Sequence, residues 1–463
     1  MEIDYGIADY VLKVADKVGI DYAEAYLQYS VGNFYAINQG IATAGSYSES
    51  VGLRIRLIKK KRLYTFSTNI LEKKVLEEAI TRFKVFKGVD TEVSEEPVLH
   101  SKYKVKERIN VESADIFKDL TDVDKALKGL KYVKYRSVYG GTGRVKEYIV
   151  NTDGNTVDSN VPVVTSFVVM SLASGSETRD RVIQYGIKGG YENYKALKVT
   201  DDAVENAKEM YKVMQNGVTI TNDQLNKIKN VVIAPEITGI AAHESIGHPN
   251  ESDRIYGREA AQAGTSYLTK DNLGMEVGSE LVNIYDDPTI ENSYGFYMFD
   301  EEGVKARKRH IIKNGVQNEL LTNREYAAVL HTKSNGSSRS DSYSNEPMVR
   351  MGNTYLEKGR ASLDELISEA KDGVYIKNFT EWNIDDTRSF SRYQGNVAYL
   401  IKNGRIDKPV KNYRLEKGTI EFWHAVRLLG NDFTLYIGSC GKGEPMQAVP
   451  VTMGGPSTLL SFG

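Results

Sequence analysis

The sequence predicts an α+β fold of two domains, residues 1–220 and 221–463, in which antiparallel sheets carry flanking helices and the C-terminal half is the more β-rich. Three observations lead there. Segments with apolar residues at helical spacing are interleaved with segments in which apolar and polar residues alternate. A strand-rich run fills residues 130–192. A polar stretch, residues 216–226, then separates it from the apolar run that opens the second half.

Taken in order, Ile7, Val11, Val14, Ala15 and Val18 recur at helical spacing, and Gly19 closes that helix. Leu53, Ile55 and Leu57 alternate with Arg54 and Arg56, and the basic run 59–62 precedes a second extended segment, LYTFS, which together predict a hairpin with a charged turn. Leu71, Val75, Leu76, Ala79, Ile80 and Phe83 restore the helical period, while residues 86–105 are polar and unpatterned and read as a connection. YVKYRSV, RVKEYIV, VPVVTSFVVM and RVIQYG read as strands, with Asn151-Thr152-Asp153-Gly154 as a turn. Gly140-Gly141-Thr142-Gly143 lacks the GK[ST] ending of a phosphate loop and is expected to be a hairpin turn. Val204, Ala207, Tyr211 and Met214 mark a helix that Thr200 or Asp201 can cap and Gly217 can end. VVIA, residues 231–234, then leads into a helix starting at Pro235 with Glu236 in its first turn, and a further helix is expected near Leu363–Ala370.

Composition narrows the function classes. Sixty basic residues against 62 acidic ones leave a net charge of −2, without the basic excess that phosphate binding requires, so direct nucleic-acid binding is not expected. The most apolar stretch, residues 161–173, is short of the roughly 18–20 residues that span a bilayer, so no membrane segment is expected. MEIDYGIADY has neither a basic nor an apolar signal region, and a single cysteine excludes an internal disulfide; both predict a cytoplasmic protein.

The helix after VVIA carries the main chemical signal, His243-Glu244-Ser245-Ile246-Gly247-His248, an HExxxH arrangement in a chain with only six histidines. In a regular α-helix residues five apart lie about 140° apart around the axis, so a straight helix would point the two imidazoles away from each other. Gly247 tolerates distorted backbone and Pro249 biases His248 away from the α region, so a π-bulge or a helix end at His248 is expected to bring the rings together. Glu244 is then free to act as a general base beside a metal-activated water, the division of labour of zinc hydrolases. A catalytic zinc takes three protein ligands. The third comes either from Cys440, in GSCGKGEP, or from Glu251, Asp253 or Glu259. His100, His310, His331 and His424 have no partners at ligand spacing and read as surface or packing residues.

At these residues the sequence resembles the TldD/PmbA family of metalloproteases, also described as modulators of DNA gyrase. The likeness rests on HESIGHPNESD, DDPTIENSYGFYMFDEEGVKARKRHIIKNGV, VRMGNTYLEKG, YLIKNGRIDKPVKNYRL and GSCGKGEPMQAVPVTMGGP, in that order, with a weaker match through NTDG and Gly189 to Glu192. The resemblance implies one zinc per chain held by His243, His248 and Cys440, Glu244 as the catalytic residue, and a two-domain α+β architecture. It also implies cleavage of short or unstructured peptides in an enclosed cavity. The partner implied is a homologous subunit lacking the metal motif, as a heterodimer, with a homodimer as the alternative. Pro249 stands where the family often has glycine. Arg350, Asn353 and Thr354 lie in a family-like block, either orienting substrate or holding a turn. The expected function is therefore a zinc-dependent peptidase; the alternatives are a regulatory binding protein with a structural metal and a metal-dependent amidase acting on non-peptide substrates.

Overall fold

A computed structural model of the protein describes residues 4–82, 89–109, 111–225, 227–259 and 266–463. Phe83, residues 86–88 and Asn226, which the sequence assigns to a helix end, a connection and a boundary, lie outside the described residues. The fold is α+β.

The first half is organised by one eight-stranded sheet: β1 (Tyr22–Asn38), β2 (Ile41–Lys59), β3 (Arg62–Thr68), β4 (Val89–Asp90), β5 (His100–Lys104), β6 (Val133–Asn151), β7 (Thr156–Ser174) and β8 (Glu177–Ile187). The order is β4-β3-β2-β1-β6-β7-β5, with β8 also against β7; every pair is antiparallel except β5 with β7. The basic turn between β2 and β3 is Lys60-Lys61, both at positive φ (49° and 62°), the two-residue geometry that matches strand twist. Helices α1 (Gly6–Lys17) and α2 (Lys73–Arg82) lay Val11, Val14, Leu76 and Ile80 on Ala25, Leu27, Leu53 and Ile55 of β1 and β2. Helix α3 (Ser113–Lys128) buries Leu120 and Leu127 against another part of the sheet.

Two sequence expectations are corrected here. Gly140-Gly141-Thr142-Gly143 is not a turn: it lies inside β6, which pairs without interruption with β1. The glycines answer to close packing, since a Cβ on Gly141 would come within 1.9 Å of the Asn33 carbonyl oxygen. Within the expected connection, residues 89–105 likewise hold two short strands, β4 and β5.

A short helix α4 (Tyr191–Lys195) leads to α5 (Val199–Asn216), whose start follows Lys198 at φ 49°, so Thr200 and Asp201 sit within its first turn and do not cap it. After α6 (Asn222–Leu225) come β9 (Asn230–Ile233) and helix α7 (Pro235–Ala242). A six-stranded sheet, order β12-β11-β10-β15-β22-β21, uses β10 (Ile284–Asp286), β11 (Arg309–Lys313), β12 (Val316–Gln317), β15 (Asn353–Leu356), β21 (Thr434–Lys442) and β22 (Gln447–Gly455). A two-stranded ribbon pairs β13 (Ser338–Arg339) with β14 (Met348–Val349). The last sheet has seven strands, with β9 between β16 (Gly373–Ile384) and β23 (Thr458–Ser461), and β17 (Phe390–Lys402), β18 (Arg405–Val410), β19 (Arg414–Gly418) and β20 (Val426–Leu429) completing it.

The two halves share apolar core. Ala203, Met210 and Met214 of α5 pack in one cluster with Val168 and Met170 of β7 and with Val397 and Tyr399 of β17. Buried ion pairs cross the same junction: Arg56 of β2 meets Glu302 at 2.7 Å and Arg54 meets Glu301 at 2.8 Å. No helix among the described residues is long and apolar enough to cross a membrane.

Candidate metal centre

Helix α7 starts as its sequence requires. Ala234 is extended, Pro235 occupies the first turn where its missing N–H costs nothing, and Glu236 meets the positive end of the helix dipole. From His243 to Gly247 the helix widens into a π turn, and the His248 N–H donates to the His243 carbonyl five residues back. That wider turn brings positions five apart onto one side. The two imidazole rings lie 5.0 Å apart between centroids, at 81° to each other.

The widening is the expected device, but its local causes differ from those read in the sequence. His248 keeps right-handed helical angles (φ −59°, ψ −44°) despite the proline after it, and a 3₁₀ turn, His248–Asn250, follows. Gly247 also has ordinary helical angles. Its reason is space, because a Cβ there would sit 1.9 Å from the Met351 sulfur.

Cys440 arrives from β21, where it pairs with Val449 of β22. Its Sγ lies 3.4 Å from His248 Nε2, and the donor atoms of His243, His248 and Cys440 all fall within 4.8 Å of one another. A tetrahedral zinc with bonds of roughly 2.0–2.3 Å places its donors about 3.3–3.6 Å apart. All three side chains are buried, and His243 Nδ1 has no hydrogen-bond partner among the described residues, an orphaned nitrogen in a ring lodged beside two other soft or borderline donors. Two imidazoles and a thiol in this arrangement fit a zinc ion.

The electrostatics favour the forms a metal needs. Burial lowers the His243 pKa and keeps the ring neutral. Burial alone would push the Cys440 thiol up, but the neighbouring His248 and Arg350 outweigh it and hold the thiol below its ordinary value. His248 Nδ1 lies 3.0 Å from Glu251 Oε2. Glu251 in turn meets the buried Lys442 Nζ at 3.1 Å, and Lys442 also reaches Asp253 Oδ1 at 2.6 Å and the Val349 carbonyl at 3.0 Å. Burial raises the Glu251 pKa, yet Lys442, His248 and Arg254 together hold it well below the usual carboxylate range. An ionised Glu251 on Nδ1 leaves the Nε2 lone pair facing Cys440, the carboxylate–histidine arrangement that orients metal ligands.

The acidic alternatives for the third donor are therefore engaged elsewhere: Glu251 by His248 and Lys442, Asp253 by Lys442 and the Val349 N–H, and Glu259 by Arg254 at 3.8 Å. Arg350, Asn353 and Thr354 hold structure. Arg350 donates to the Cys440 and Gln447 carbonyls, Asn353 to the Asp287 carbonyl, and Thr354 to Asp286.

A cavity of about 490 Å³ opens onto the three donors. Two of its walls are strands with a single sheet neighbour each among the described residues, residues 180–184 of β8 and 436–441 of β21, and a third is formed by Phe379, Thr380 and Trp382 of β16. It thus lies where the N-terminal sheet meets both C-terminal sheets. Glu244 projects into it, with Oε2 accepting from Arg388 Nη1 at 2.6 Å and 3.9 Å from His248 Nε2. At the other end Arg181 Nη2 reaches both Glu236 oxygens at 2.9 Å; burial nevertheless raises the Glu236 pKa against that pairing. Arg388, Lys442 and the Arg181–Glu236 pair escaped the sequence reading. Arg388 and the Arg181–Glu236 pair stand in no motif, Lys442 stands two residues after Cys440 in GSCGKGEP without a role marked for it, and each acts on a residue far away in the chain.

Residues 226–462 match the PmbA/TldA metallopeptidase C-terminal domain, and residues 23–82 match PmbA/TldA metallopeptidase domain 1. The chain is 27% identical over 454 residues to a metalloprotease of Methanocaldococcus jannaschii, covering 94% of this chain and 95% of the relative. It is 27% identical over 457 residues to a metalloprotease TldD homolog of Buchnera aphidicola, covering 95% and 92%. In fold it is similar to the crystal structure of TldE from Thermococcus kodakarensis, with a TM-score of 0.74 at 17% identity, covering 98% of this chain and 100% of that one. With more than half its length matched, including the segment that holds all three donors and Glu244, the chain belongs to the PmbA/TldA metallopeptidase family, the TldD/PmbA family that its motifs resemble.

Proposed function

We propose that this chain is a zinc-dependent peptidase that hydrolyses short or unstructured peptides. The observation that carries the reading is the convergence of His243, His248 and Cys440 beside Glu244 at one end of a cavity walled by two strand edges. A zinc ion bound there supplies Lewis acidity, which makes a water acidic near neutral pH and polarises a carbonyl. Glu251 fixes the His248 ring and Lys442 keeps Glu251 ionised, so the ligand end is preorganised. Glu244 has Oε2 occupied by Arg388, which leaves Oε1 to take the proton of the attacking water and return it to the leaving nitrogen.

The walls support that substrate class. Among the described residues β8 and β21 each present one unpaired strand edge, which an extended peptide backbone can join through main-chain hydrogen bonds, whereas a folded chain cannot bring a bond into so small a space. Phe379, Trp382 and Tyr436 supply apolar surface for side chains beside the scissile bond.

The test is incubation of purified protein and the Glu244→Ala variant with a mixture of unstructured peptides, with and without chelator, the products being read by mass spectrometry. Chelator-sensitive cleavage by wild type alone is the expected result. Absence of cleavage by fully zinc-loaded wild type would overturn the reading for the isolated chain.

A further inference from the structure

Arg388 is the one cation within hydrogen-bond reach of Glu244 among the described residues, and much of the surrounding structure serves to hold it there. It sits at the tip of the hairpin between β16 and β17, at φ 64°, a left-handed conformation that a non-glycine residue adopts at some cost. The tip is fixed from several sides. Asp385 accepts from Thr387, from Ser389 Oγ at 2.8 Å and from the Phe390 N–H at 2.7 Å. The Arg388 carbonyl accepts from Thr419 Oγ1 at 2.6 Å, and the Thr387 carbonyl accepts from the Tyr267 N–H at 2.9 Å. Tyr267 closes the circuit: its hydroxyl donates at 3.0 Å to the Ser245 carbonyl, one residue from Glu244. The hairpin tip and the π turn are thus tied together independently of the Arg388–Glu244 contact.

The guanidinium itself is only partly engaged. Of its five N–H donors one meets Glu244, and Nε is buried with no hydrogen-bond partner among the described residues, although Arg388 lines the cavity. The contact is not the bidentate fork that Arg and a carboxylate can form. Here one nitrogen contacts one oxygen.

We infer that Arg388 is a catalytic residue that donates to the carbonyl oxygen of the scissile peptide bond as negative charge develops on it. This rests on the peptidase reading above. When water adds to the carbonyl carbon, one proton goes to Glu244 and the carbonyl π electrons move onto the oxygen. When the C–N bond breaks, those electrons re-form the carbonyl and the proton passes from Glu244 to the departing nitrogen. Water held by Glu244 lies one hydrogen bond from the carboxylate that Arg388 contacts, so the oxygen of the carbonyl it attacks falls within reach of the same guanidinium. A rigid hairpin presents that donor without reorganisation, the condition under which such a contact is most effective.

The test uses zinc-loaded full-length protein with equal metal content in wild type, Arg388→Lys and Arg388→Gly. Glycine removes the side chain while suiting the left-handed backbone, so the hairpin is retained. Peptide turnover and the affinity for a phosphinic peptide, a tetrahedral mimic, are both measured. The expected result for Arg388→Gly is a kcat lower by about 100–1,000-fold with KM little changed, a parallel loss of phosphinate affinity, and partial recovery of kcat with added guanidinium. Unchanged phosphinate affinity would overturn the inference, as would a defect confined to KM for peptides with a free C-terminal carboxylate, which would make Arg388 a terminal-carboxylate anchor. If wild type cleaves nothing, the peptidase reading fails separately; the phosphinate titration still decides, since weaker binding by Arg388→Gly supports the contact and equal or absent binding by both proteins overturns it.

Discussion

Glu251 Oε2 lies 3.0 Å from His248 Nδ1, and this contact sets which nitrogen of the second imidazole is left to face Cys440. The carboxylate can play that part because Lys442, fully buried, pairs with both it and Asp253, and Arg254 lies 3.6 Å from it as well. Glu251→Gln keeps the shape but loses the charge that raises the basicity of the ring. It should weaken zinc binding by about 10–100-fold, measured by competition with a chromophoric chelator. Lys442→Met removes the cation that two buried carboxylates share and should destabilise the fold by about 3–5 kcal/mol in denaturant titrations. Metal affinity unaltered in Glu251→Gln would mean that His248 is oriented by packing alone.

The donor set and the base should separate experimentally. Glu244→Ala removes no donor, so zinc content should stay at one per chain while turnover falls by about 100–10,000-fold. Cys440→Ala removes a donor and should lower zinc content itself, read by elemental analysis after dialysis. Full zinc occupancy in Cys440→Ala would exclude the thiolate from the ligand set and return attention to Glu251, Asp253 and Glu259.

What the sequence made legible was local. Pro235 and Glu236 announce the start of α7, the pattern near Leu363–Ala370 announces a helix that the structure contains, and the spacing of His243, Glu244 and His248 announces a distorted helix. What stayed hidden depends on contacts made by folding. Lys442 lies 191 residues from Glu251, and Arg388 lies 144 residues from Glu244, with nothing in the hairpin sequence DDTRS to mark it. The glycines show the same division. Gly140 to Gly143 carry the composition of a turn, and only the approach of the Asn33 backbone on the neighbouring strand explains why they lie in the middle of β6.

Folding in the absence of metal should depend on pH through His243. Burial lowers its pKa in the folded chain, so below the ordinary histidine value of about 6.5 the unfolded chain binds a proton that the native chain does not. Stability from this group is therefore complete above about pH 6.5 and is lost as pH falls through the lower, folded value. Glu251 adds a similar loss at more acidic pH, because its pKa is held below the usual carboxylate range. Urea unfolding of metal-free protein at pH 7.5 and 5.5 should show a decrease that His243→Gln diminishes. An equal decrease in both proteins would place the titrating group elsewhere.

The π turn should be the most sensitive backbone feature of the site, and the sensitivity is one of space. Gly247 has helical angles that alanine also favours, so on propensity alone Gly247→Ala would stabilise the helix. Against this, a new Cβ would overlap the sulfur of Met351, a fully buried side chain in the C-terminal core. Overpacking of this kind costs about 1–3 kcal/mol, more than the roughly 1 kcal/mol that propensity returns. Gly247→Ala should therefore lower the melting temperature and weaken zinc binding, because relief of the overlap shifts the turn that brings His243 and His248 together. Shortening the obstacle in the double variant Gly247→Ala with Met351→Ala should restore zinc affinity toward wild type even though the lost methionine lowers stability. Failure of that rescue, with zinc binding still weak, would show that the π turn needs glycine for its backbone after all.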